Sequence, residues 1–442
     1  MTPEAKLDTE RTKISEFGQR MLKDGLTLGT GGNISVRNGN HVAISPSGVP
    51  YDEIEPEDVP VVDLEGDHIA GESKPSSEFR MHTDVIRERP DVGGVVHTHS
   101  PYASTFASMG EPIPASHYLI AFIGDEVPVA PYETYGTAEL ATAALETLGE
   151  EYNACLLENH GVLAVGETVD EAYEVAMMVE YCAQIHYQAI SVGEPEILSN
   201  EAVTELIEIF EHYGEHTDSQ DEATEVPVGD ALQAERAAVS ELGRQMLEDG
   251  LTKGTGGNVS SRNGEEVAIN PSGVPYEEIT PETVPLVDLQ GEQVAGKLPA
   301  SSESPMHTAI YRAREDVGGV VHTHSPYAST FASLQEPIEA SHYLIAFAGD
   351  QVPVTAYETP ATEALGELAV EALGDEYGAC LLGNHGVITI GESVEEAYEI
   401  ALMTEYCARI HYQARSVGEP KILADTEIKT LTERFADYGQ QS

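Results

Sequence analysis

The chain repeats itself at a fixed offset, and this duplication constrains the fold more than any other feature. His97 recurs as His322, 225 residues later, and the stretch DVGGVVHTHSPYASTFAS at 91–108 returns unchanged at 316–333. The same offset relates TGGNIS to TGGNVS, PSGVPY to PSGVPY and ENHGV to GNHGV. A period this long indicates a duplicated domain, because the units of solenoid proteins are far shorter.

The duplication divides the 442 residues into two domains of similar length. Between the copies, HTDSQDEATEVPVGD is polar and contains few large apolar residues, which is typical of an exposed linker. We therefore predict domains at 1–217 and 230–442, joined by an acidic linker at 218–229. Each domain is long enough to bury a core of its own.

Within one copy, the hydrophobic pattern alternates between the helical period and the strand period. The stripe of Ile14, Phe17 and Met21 predicts a first helix, and NISVR-NGN-HVAIS is typical of a hairpin. Further strands are predicted in VPVVDL, VGGVVHTH, ACLLE and VLAVG, and further helices at 77–88, 101–108, 137–148 and 168–192. The pattern predicts an α/β fold with a mainly antiparallel sheet flanked by helices.

The amino-acid composition indicates which classes of binding partner are unfavourable for this chain. The chain carries 77 acidic and 22 basic side chains, a formal net charge of −55, so nucleic acid and anionic lipid are poor partners. No apolar run reaches the length of a membrane span and the N-terminus does not resemble a signal peptide, so we predict a cytoplasmic protein adapted to high salt. The four cysteines lack zinc-knuckle or redox spacing and are predicted to be buried, reduced thiols: Cys155, Cys182, Cys380 and Cys407.

The pattern GGVVHTH indicates metal chemistry. Residues i and i+2 of a strand face the same side, so His97 and His99 can both reach one point, as the ligands of a zinc-class ion do. Two histidines that cap a strand by hydrogen bonds give the same pattern. His160 follows another apolar strand and is a candidate third ligand, which would leave an open, catalytic position on the metal. Glu78 is a candidate fourth ligand or acid/base group.

Three segments rich in glycine and serine are candidate anion sites. They offer backbone N–H groups, hydroxyls and one amide at Gly32, Asn33, Ser47, Gly48, Ser76 and Ser77. Each segment alone is also typical of an ordinary turn. Together with a metal, they favour a phosphorylated substrate held by neutral donors.

The ordered motifs GTGGNISVRNG, ISPSGVPYDEI, KPSSEFRMH, VVHTHSPYAS, ASHYLIA and LLENHGV resemble the class II aldolase/adducin family across nearly all of each half. The resemblance implies a three-layer α/β/α fold around an antiparallel sheet, with active sites between neighbouring subunits of a four-fold ring. It also implies a zinc-dependent aldolase that cleaves a ketose 1-phosphate of the L-fuculose 1-phosphate type to dihydroxyacetone phosphate and a small aldehyde. Lysine is scarce in the chain and Lys74 is the only one in these motifs, so a Schiff-base mechanism is disfavoured.

The resemblance assigns a role to each motif residue. The zinc ligands would be His97, His99, His160 and Glu78, with Glu78 also transferring a proton, and in the second half His322, His324, His385 and Glu303. Tyr118 and Tyr343 match a tyrosine that a neighbouring domain supplies as proton donor, and Tyr213 and Tyr438 match a second tyrosine at the site. The phosphate-binding positions are the six named above and, in the second half, Gly257, Asn258, Ser272, Gly273, Ser301 and Ser302.

The resemblance also predicts cofactor and assembly. Each domain would bind one Zn²⁺ or another divalent transition metal. Because one chain contains two subunit equivalents, we expect a homodimer that forms a four-domain ring with pseudo-four-fold symmetry. The halves differ beside two motifs, where Pro305 replaces Arg80 and Gly383 replaces Glu158.

Three alternatives remain open on the sequence. An L-ribulose-5-phosphate 4-epimerase of the same family uses related chemistry, but Glu78 and the HYLIA run that contains Tyr118 favour an aldolase. A deoxypentulose 1-phosphate aldolase differs only in the aldehyde product. A non-catalytic binding module like the adducin head is a different class, and the two complete histidine triads argue against it.

Overall fold

The computed structural model of the chain describes residues 7–211 and 228–436. Tyr213, Tyr438 and most of the predicted linker lie outside the described residues, and the predicted domain boundaries remain predictions. The chain forms two compact units. Within the described residues, the first unit comprises 7–115, 119–184 and 199–207, and the second comprises 116–118, 185–198, 208–211 and 228–436.

The first repeat supplies six helices and ten strands among its described residues. The helices are α1 (Asp8–Lys23), α2 (Phe79–Glu88), α3 (Pro101–Met109), α4 (Ala138–Leu148), α5 (Val169–Val192) and α6 (Asn200–Glu211). The strands are β1 (Asn33–Asn38), β2 (His41–Ile44), β3 (Val61–Asp63), β4 (His68–Ala70), β5 (Gly94–Thr98), β6 (Ile113–Pro114), β7 (Glu126–Val127), β8 (Val129–Ala130), β9 (Ala154–Leu157) and β10 (Gly161–Gly166).

Among its described residues, the second repeat forms equivalents of all these elements except β8, where a single bridge joins Val354 to Leu381. Its helices are α7 (Gln233–Glu248), α8 (Ser304–Ala313), α9 (Pro326–Leu334), α10 (Glu363–Leu373), α11 (Val394–Val417) and α12 (Asp425–Ala436). Its strands are β11 (Asn258–Asn263), β12 (Glu266–Ile269), β13 (Leu286–Asp288), β14 (Gln293–Ala295), β15 (Gly319–Thr323), β16 (Ile338–Glu339), β17 (Gln351–Val352), β18 (Ala379–Leu382) and β19 (Gly386–Gly391).

Each repeat forms one large, mainly antiparallel sheet, as predicted. The strand order is β4-β3-β2-β1-β5-β10-β9-β8 in the first and β14-β13-β12-β11-β15-β19-β18 in the second. The edge pair β8–β9 is parallel, whereas every other neighbouring pair in the large sheets is antiparallel. In both sheets, the strand that carries the paired histidines lies near the centre, where neighbours on both sides fix its register.

The sheet lies between two layers of helices because its side chains alternate between two apolar faces. In β15, Val320 packs in a core with residues of α8 and α10, and Val321 packs in a core with residues of α7 and α11. Both valines are fully buried, and burial of such a side chain stabilises a fold by about 1.5–3 kcal/mol. This alternation accounts for the predicted three-layer arrangement.

Local sequence signals explain where the predicted helices begin and end. Thr137 is the N-cap of α4, where its hydroxyl accepts a hydrogen bond from the Leu140 N–H, and Gly149 is the C-cap. The long predicted strand VPVVDL is shorter in the structure, at Val61–Asp63, because Pro60 interrupts the run. Helices α6 and α12 were not predicted from the sequence.

The described residues contain no helix that is both long enough and apolar enough to cross a membrane. All four cysteines are free and buried, as predicted. Burial raises the pKa of the Cys155 thiol to about 12, so this side chain behaves as a small apolar group.

Candidate metal centres

The first candidate centre begins at the end of β5. His97 lies in the strand, opposite Asn33 of β1 and Leu163 of β10. His99 follows one residue after the strand ends, and because side chains alternate it lies on the same side as His97. The two Nε2 atoms are 3.0 Å apart.

A tight turn between β9 and β10 brings the third histidine to the same point. Asn159 has a φ of 55°, a left-handed conformation that asparagine tolerates better than most residues, and His160 follows it. The His160 ring centroid is 4.8 Å from that of His97 and 5.3 Å from that of His99. The possible ligand atoms of the three residues all lie within 4.8 Å of one another.

The second repeat builds the same triad from His322, His324 and His385. The Nε2 atoms of the first two are 2.9 Å apart, and the ring centroid of His385 is 4.7 Å from that of His322. All three histidines are buried here, whereas His99 is exposed in the first triad. The predicted convergence of the histidines therefore occurs in both halves.

A glutamate completes each cluster. Glu78 is the N-cap of α2, and its carboxylate oxygens lie 3.5 Å from His97 Nε2 and 3.4 Å from His160 Nε2. Glu303 occupies the equivalent position in the second half, where its carboxylate oxygens lie 3.4 Å from His322 Nε2 and 3.3 Å from His385 Nε2.

These residues fit a metal ion. Among the described residues, the Oε1 atoms of Glu78 and Glu303 and the Nε2 atom of His385 are buried and make no hydrogen bond. A buried polar atom without a partner is unfavourable, and coordination of a cation would satisfy it. Three imidazoles and one carboxylate at one point are a donor set that suits zinc and related divalent metals.

The protonation of the histidines suits the same role. The Nδ1–H group of His97 donates to the Val162 carbonyl at 2.7 Å, so its lone pair is on Nε2 and faces the cluster. Burial, with the neighbouring His160 and His99, lowers the pKa of His97 well below its usual range. Burial and His160 also lower the pKa of His99. Neutral imidazoles of this kind can bind a metal without first losing a proton.

Glycine at the start of β19 allows the strand to approach the second triad. A Cβ atom at Gly386 would lie 2.5 Å from the Thr323 carbonyl oxygen and 3.0 Å from His324 Cδ2. We expect Gly386→Ala to cost about 1–3 kcal/mol of unfolding free energy through overpacking, and to weaken metal binding by the second unit. Gly418→Ala is the control, because a Cβ there meets nothing within 4 Å. Chemical denaturation with parallel metal titration tests this, and equal behaviour of the two variants would contradict it.

The three glycine- and serine-rich segments lie together. A bridge between Pro46 and Pro75 joins two of them, and the Ser47 N–H donates to the Lys74 carbonyl at 2.9 Å. The Tyr51 hydroxyl donates to the Gly32 carbonyl at 2.8 Å and fixes the third segment. Exposed positions at Ser47, Gly48 and Ser77 remain available to a ligand, whereas Ser76 is buried.

The second repeat keeps this arrangement. A bridge joins Pro271 to Ala300, beside the candidate pairs Ser272–Gly273 and Ser301–Ser302. The Tyr276 hydroxyl donates to the Gly257 carbonyl at 2.6 Å.

The candidate tyrosines lie in different environments. Tyr118, which belongs to the second compact unit, has its hydroxyl 3.2 Å from His324 Nε2 and its ring centroid 4.2 Å from that of His385. Its side chain is 6% exposed, whereas its counterpart Tyr343 is 48% exposed. The structure thus places Tyr118 beside the second triad.

The two differences between the halves have local explanations. Pro305 lies in the first turn of α8, where its missing N–H costs no intrahelical bond. A Cβ atom at Gly383 would lie 2.7 Å from the Thr355 carbonyl oxygen, so a side chain does not fit there. In the first half, Glu158 instead accepts a hydrogen bond from the Tyr132 N–H at 2.9 Å.

The chain also matches a known family model. The class II aldolase and adducin N-terminal domain matches residues 12–187 and again residues 237–412, which together cover more than half of the chain. The chain belongs to the class II aldolase and adducin family. The predicted family, fold class and tandem duplication are thereby confirmed.

Named relatives match about one half of the chain. The chain is 50% identical over 211 residues to the 5-deoxy-D-ribulose 1-phosphate aldolase of Bacillus thuringiensis serovar kurstaki, covering 47% of the chain and 99% of the relative. It is 36% identical over 196 residues to the L-fuculose phosphate aldolase of Escherichia coli K12, covering 44% and 90%. A solved L-fuculose 1-phosphate aldolase is 40% identical, with a TM-score of 0.45 and coverage of 46% and 96%.

Proposed function

We propose that this chain is a metal-dependent aldolase that cleaves a ketose 1-phosphate to dihydroxyacetone phosphate and a small aldehyde. The observation that carries the proposal is the pair of three-histidine clusters, each with a glutamate whose Oε1 atom is buried and makes no hydrogen bond within the described residues. Two intact clusters disfavour a non-catalytic binding module.

Each cluster residue has a defined part in the proposed reaction. His97, His99 and His160 would hold one zinc-class ion, which supplies Lewis-acid stabilisation of negative charge that develops during carbon–carbon cleavage. Cleavage of the C3–C4 bond leaves an enediolate, and Glu78 is placed to deliver the proton that C3 then requires. In the second half, His322, His324, His385 and Glu303 would do the same.

Recognition of the phosphate group would come from neutral donors. In the first half these are the Gly32 and Gly48 backbone N–H groups, the Asn33 amide and the hydroxyls of Ser47, Ser76 and Ser77. Their counterparts in the second half are Gly257, Asn258, Ser272, Gly273, Ser301 and Ser302. Neutral donors suit a protein whose formal net charge is −55, since they bind an anion locally where the overall field repels it.

The alcohol proton at C4 requires a separate group. The Tyr118 hydroxyl, 3.2 Å from His324 Nε2, would donate a proton to the aldehyde oxygen in the aldol direction, and in cleavage the tyrosinate form would take up the C4 hydroxyl proton. By the duplication, Tyr343 would serve the first cluster. Tyr213 and Tyr438 are proposed second tyrosines of the sites, and both lie outside the described residues.

The aldehyde half of the substrate has two candidates. An L-fuculose 1-phosphate substrate would give lactaldehyde, and the 50% identity to a 5-deoxy-D-ribulose 1-phosphate aldolase favours a deoxypentulose 1-phosphate that would give acetaldehyde. The panel to be assayed is therefore L-fuculose 1-phosphate, 5-deoxyribulose 1-phosphate and L-ribulose 5-phosphate. Release of dihydroxyacetone phosphate from a 1-phosphate supports the aldolase, whereas epimerisation of the 5-phosphate without cleavage would replace it with a 4-epimerase.

We further propose a homodimer that forms a ring of four domains. Tyr118 is 6% exposed and Tyr343 is 48% exposed, although the two tyrosines are equivalent by sequence. A second copy that covers Tyr343 would supply this tyrosine to the partner's first cluster. We expect a particle of twice the 47.5 kDa chain mass by light scattering in high salt, where self-repulsion of so acidic a protein is screened. A fully active particle of single-chain mass would rule out the ring.

A further inference from the structure

A buried chain of polar side chains lies behind the first glutamate. Nε2 of His82 hydrogen bonds with Asn33 Oδ1, and the Asn33 amide nitrogen donates to Glu78 Oε2 at 2.9 Å. On the other side of the ring, His82 Nδ1 lies 2.8 Å from Ser35 Oγ. His82 is fully buried on α2, one helical turn after Glu78.

The hydrogen bonds that link His82, Asn33 and Glu78 can have only one donor-to-acceptor direction. A carboxylate only accepts, so Asn33 must present its amino group to Glu78 and its oxygen to His82. His82 must therefore carry its proton on Nε2, and Nδ1 accepts from the Ser35 hydroxyl. Burial, with the neighbouring His97, lowers the pKa of His82 to about 3, which keeps the ring neutral and this tautomer intact.

The second repeat has the same series of hydrogen-bonded side chains. His307 Nε2 lies 2.5 Å from Asn258 Oδ1, and Asn258 donates to Glu303 Oε2 at 2.5 Å. His307 Nδ1 lies 2.7 Å from Ser260 Oγ. Here the Tyr311 hydroxyl adds a contact of 2.8 Å to Ser260 Oγ.

The tyrosine provides an internal comparison between the halves. Ile86 stands at the position that Tyr311 occupies in the second half. The first half makes the same hydrogen bonds between histidine, asparagine and glutamate without a tyrosine hydroxyl. The hydroxyl is therefore not needed to set the donor-to-acceptor direction of these bonds. The histidine and asparagine are present in both.

We propose that His82 and His307 are positioning residues that set the amide orientation of Asn33 and Asn258 and thereby hold Glu78 and Glu303 against the metal centres. A flipped amide would turn its oxygen toward the carboxylate and push it away. The neutral, Nε2-protonated histidine prevents this flip because its N–H requires an acceptor. The effect on the rate of cleavage rests on the proposed function, whereas the effect on metal affinity does not.

Two substitutions of His82 and His307 test whether these residues must hydrogen bond to the asparagine oxygen, or whether any buried polar group at these positions is sufficient. His→Gln at 82 and 307 keeps a donor near the place of Nε2, which can still reach the asparagine oxygen. His→Asn at both positions keeps a polar group near Nδ1 for the serine but lacks a donor long enough to reach that oxygen. Both replacement side chains are uncharged, but asparagine is one methylene smaller than glutamine and leaves a larger cavity, so the free energy of unfolding of both pairs is measured by chemical denaturation beside their zinc affinity.

The main readout is zinc affinity by chelator competition, with the absorption spectrum of the Co²⁺-substituted protein as a report on carboxylate coordination. We expect the asparagine pair to weaken zinc binding about 10- to 100-fold, as loss of a residue that orients a metal ligand does, and the glutamine pair to stay within about threefold of wild type. Tyr311→Phe is the control for loss of a buried hydroxyl from the second half, with an expected change of less than about threefold.

The outcomes are distinct. Equal zinc affinities and Co²⁺ spectra for the asparagine, glutamine and wild-type proteins would overturn the proposal, as would equal weakening by asparagine and glutamine. A wild-type protein that cleaves no ketose phosphate would instead contradict the proposed function, and the metal measurements would still decide the role of the histidines. If the asparagine pair does not fold, the glutamine pair must retain wild-type zinc affinity and Co²⁺ spectrum, and a loss of either would overturn the proposal.

Discussion

Replacement of His97 and His322 together by alanine is expected to abolish turnover. Each is a fully buried member of a triad, and its loss leaves only two imidazoles and one carboxylate to bind the ion. Because a catalytic metal contributes several kcal/mol to the stabilisation of charge, we expect a fall of about 10³-fold or more in kcat/KM. Coupled assay of dihydroxyacetone phosphate and elemental analysis of the purified protein check this result.

The single variants make this test quantitative. The wild-type chain should carry two ions, His97→Ala and His322→Ala one each, and the double variant none. If both halves are active, each single variant retains roughly half of the turnover, since the two sites work in parallel. His68→Ala is the control, because this histidine is exposed at the edge of the sheet. Normal turnover in the double variant would exclude a role for the metal centres in catalysis.

The paired histidines could be predicted because their geometry is local. A central strand alternates its side chains, so a His-x-His motif at its end must bring both imidazoles to one side. His160 was predictable for a similar reason, since it follows an apolar strand at a turn. In the structure, the possible ligand atoms of the three histidines lie within 4.8 Å of one another in each triad.

The polar chain behind the glutamate could not be predicted in this way. His82 is the last residue of the motif KPSSEFRMH, four residues after Glu78, and it lies on the buried face of a helix, where a histidine is commonly a core residue. Its partner Asn33 lies 49 residues away in sequence, so only the packing of α2 against the sheet brings them together. The signal available in the sequence was that Glu78 and His82 are four residues apart and thus share one helical face.

The position of Tyr118 depends on tertiary structure still more strongly. Nothing in its local pattern connects it to His324, which is 206 residues away, and its proposed role came only from the family resemblance. Tyr118 is the first residue of a short 3-10 helix, Tyr118–Phe122, which the sequence pattern did not predict. The proposed role of each tyrosine can be tested by inactivating one cluster and then removing each tyrosine hydroxyl in turn.

The last prediction therefore combines tyrosine and histidine variants. With His97→Ala present, only the second cluster can turn over. Tyr118→Phe in that background should lower kcat by about 10²- to 10⁴-fold, because it removes the group proposed to take up the C4 hydroxyl proton. Tyr343→Phe in the same background should leave kcat within about twofold, since Tyr343 is proposed to serve the other cluster.

The reciprocal background reverses the pattern. With His322→Ala present, Tyr343→Phe should be the damaging change and Tyr118→Phe the mild one. Steady-state kinetics on the preferred ketose 1-phosphate measures all four combinations. Phenylalanine keeps the ring that packs 4.2 Å from His385, so the comparison isolates the hydroxyl from the packing. If both tyrosines proved equally important in each background, the assignment of one tyrosine to one cluster would be wrong, and the ring in which each domain completes its neighbour would lose its support.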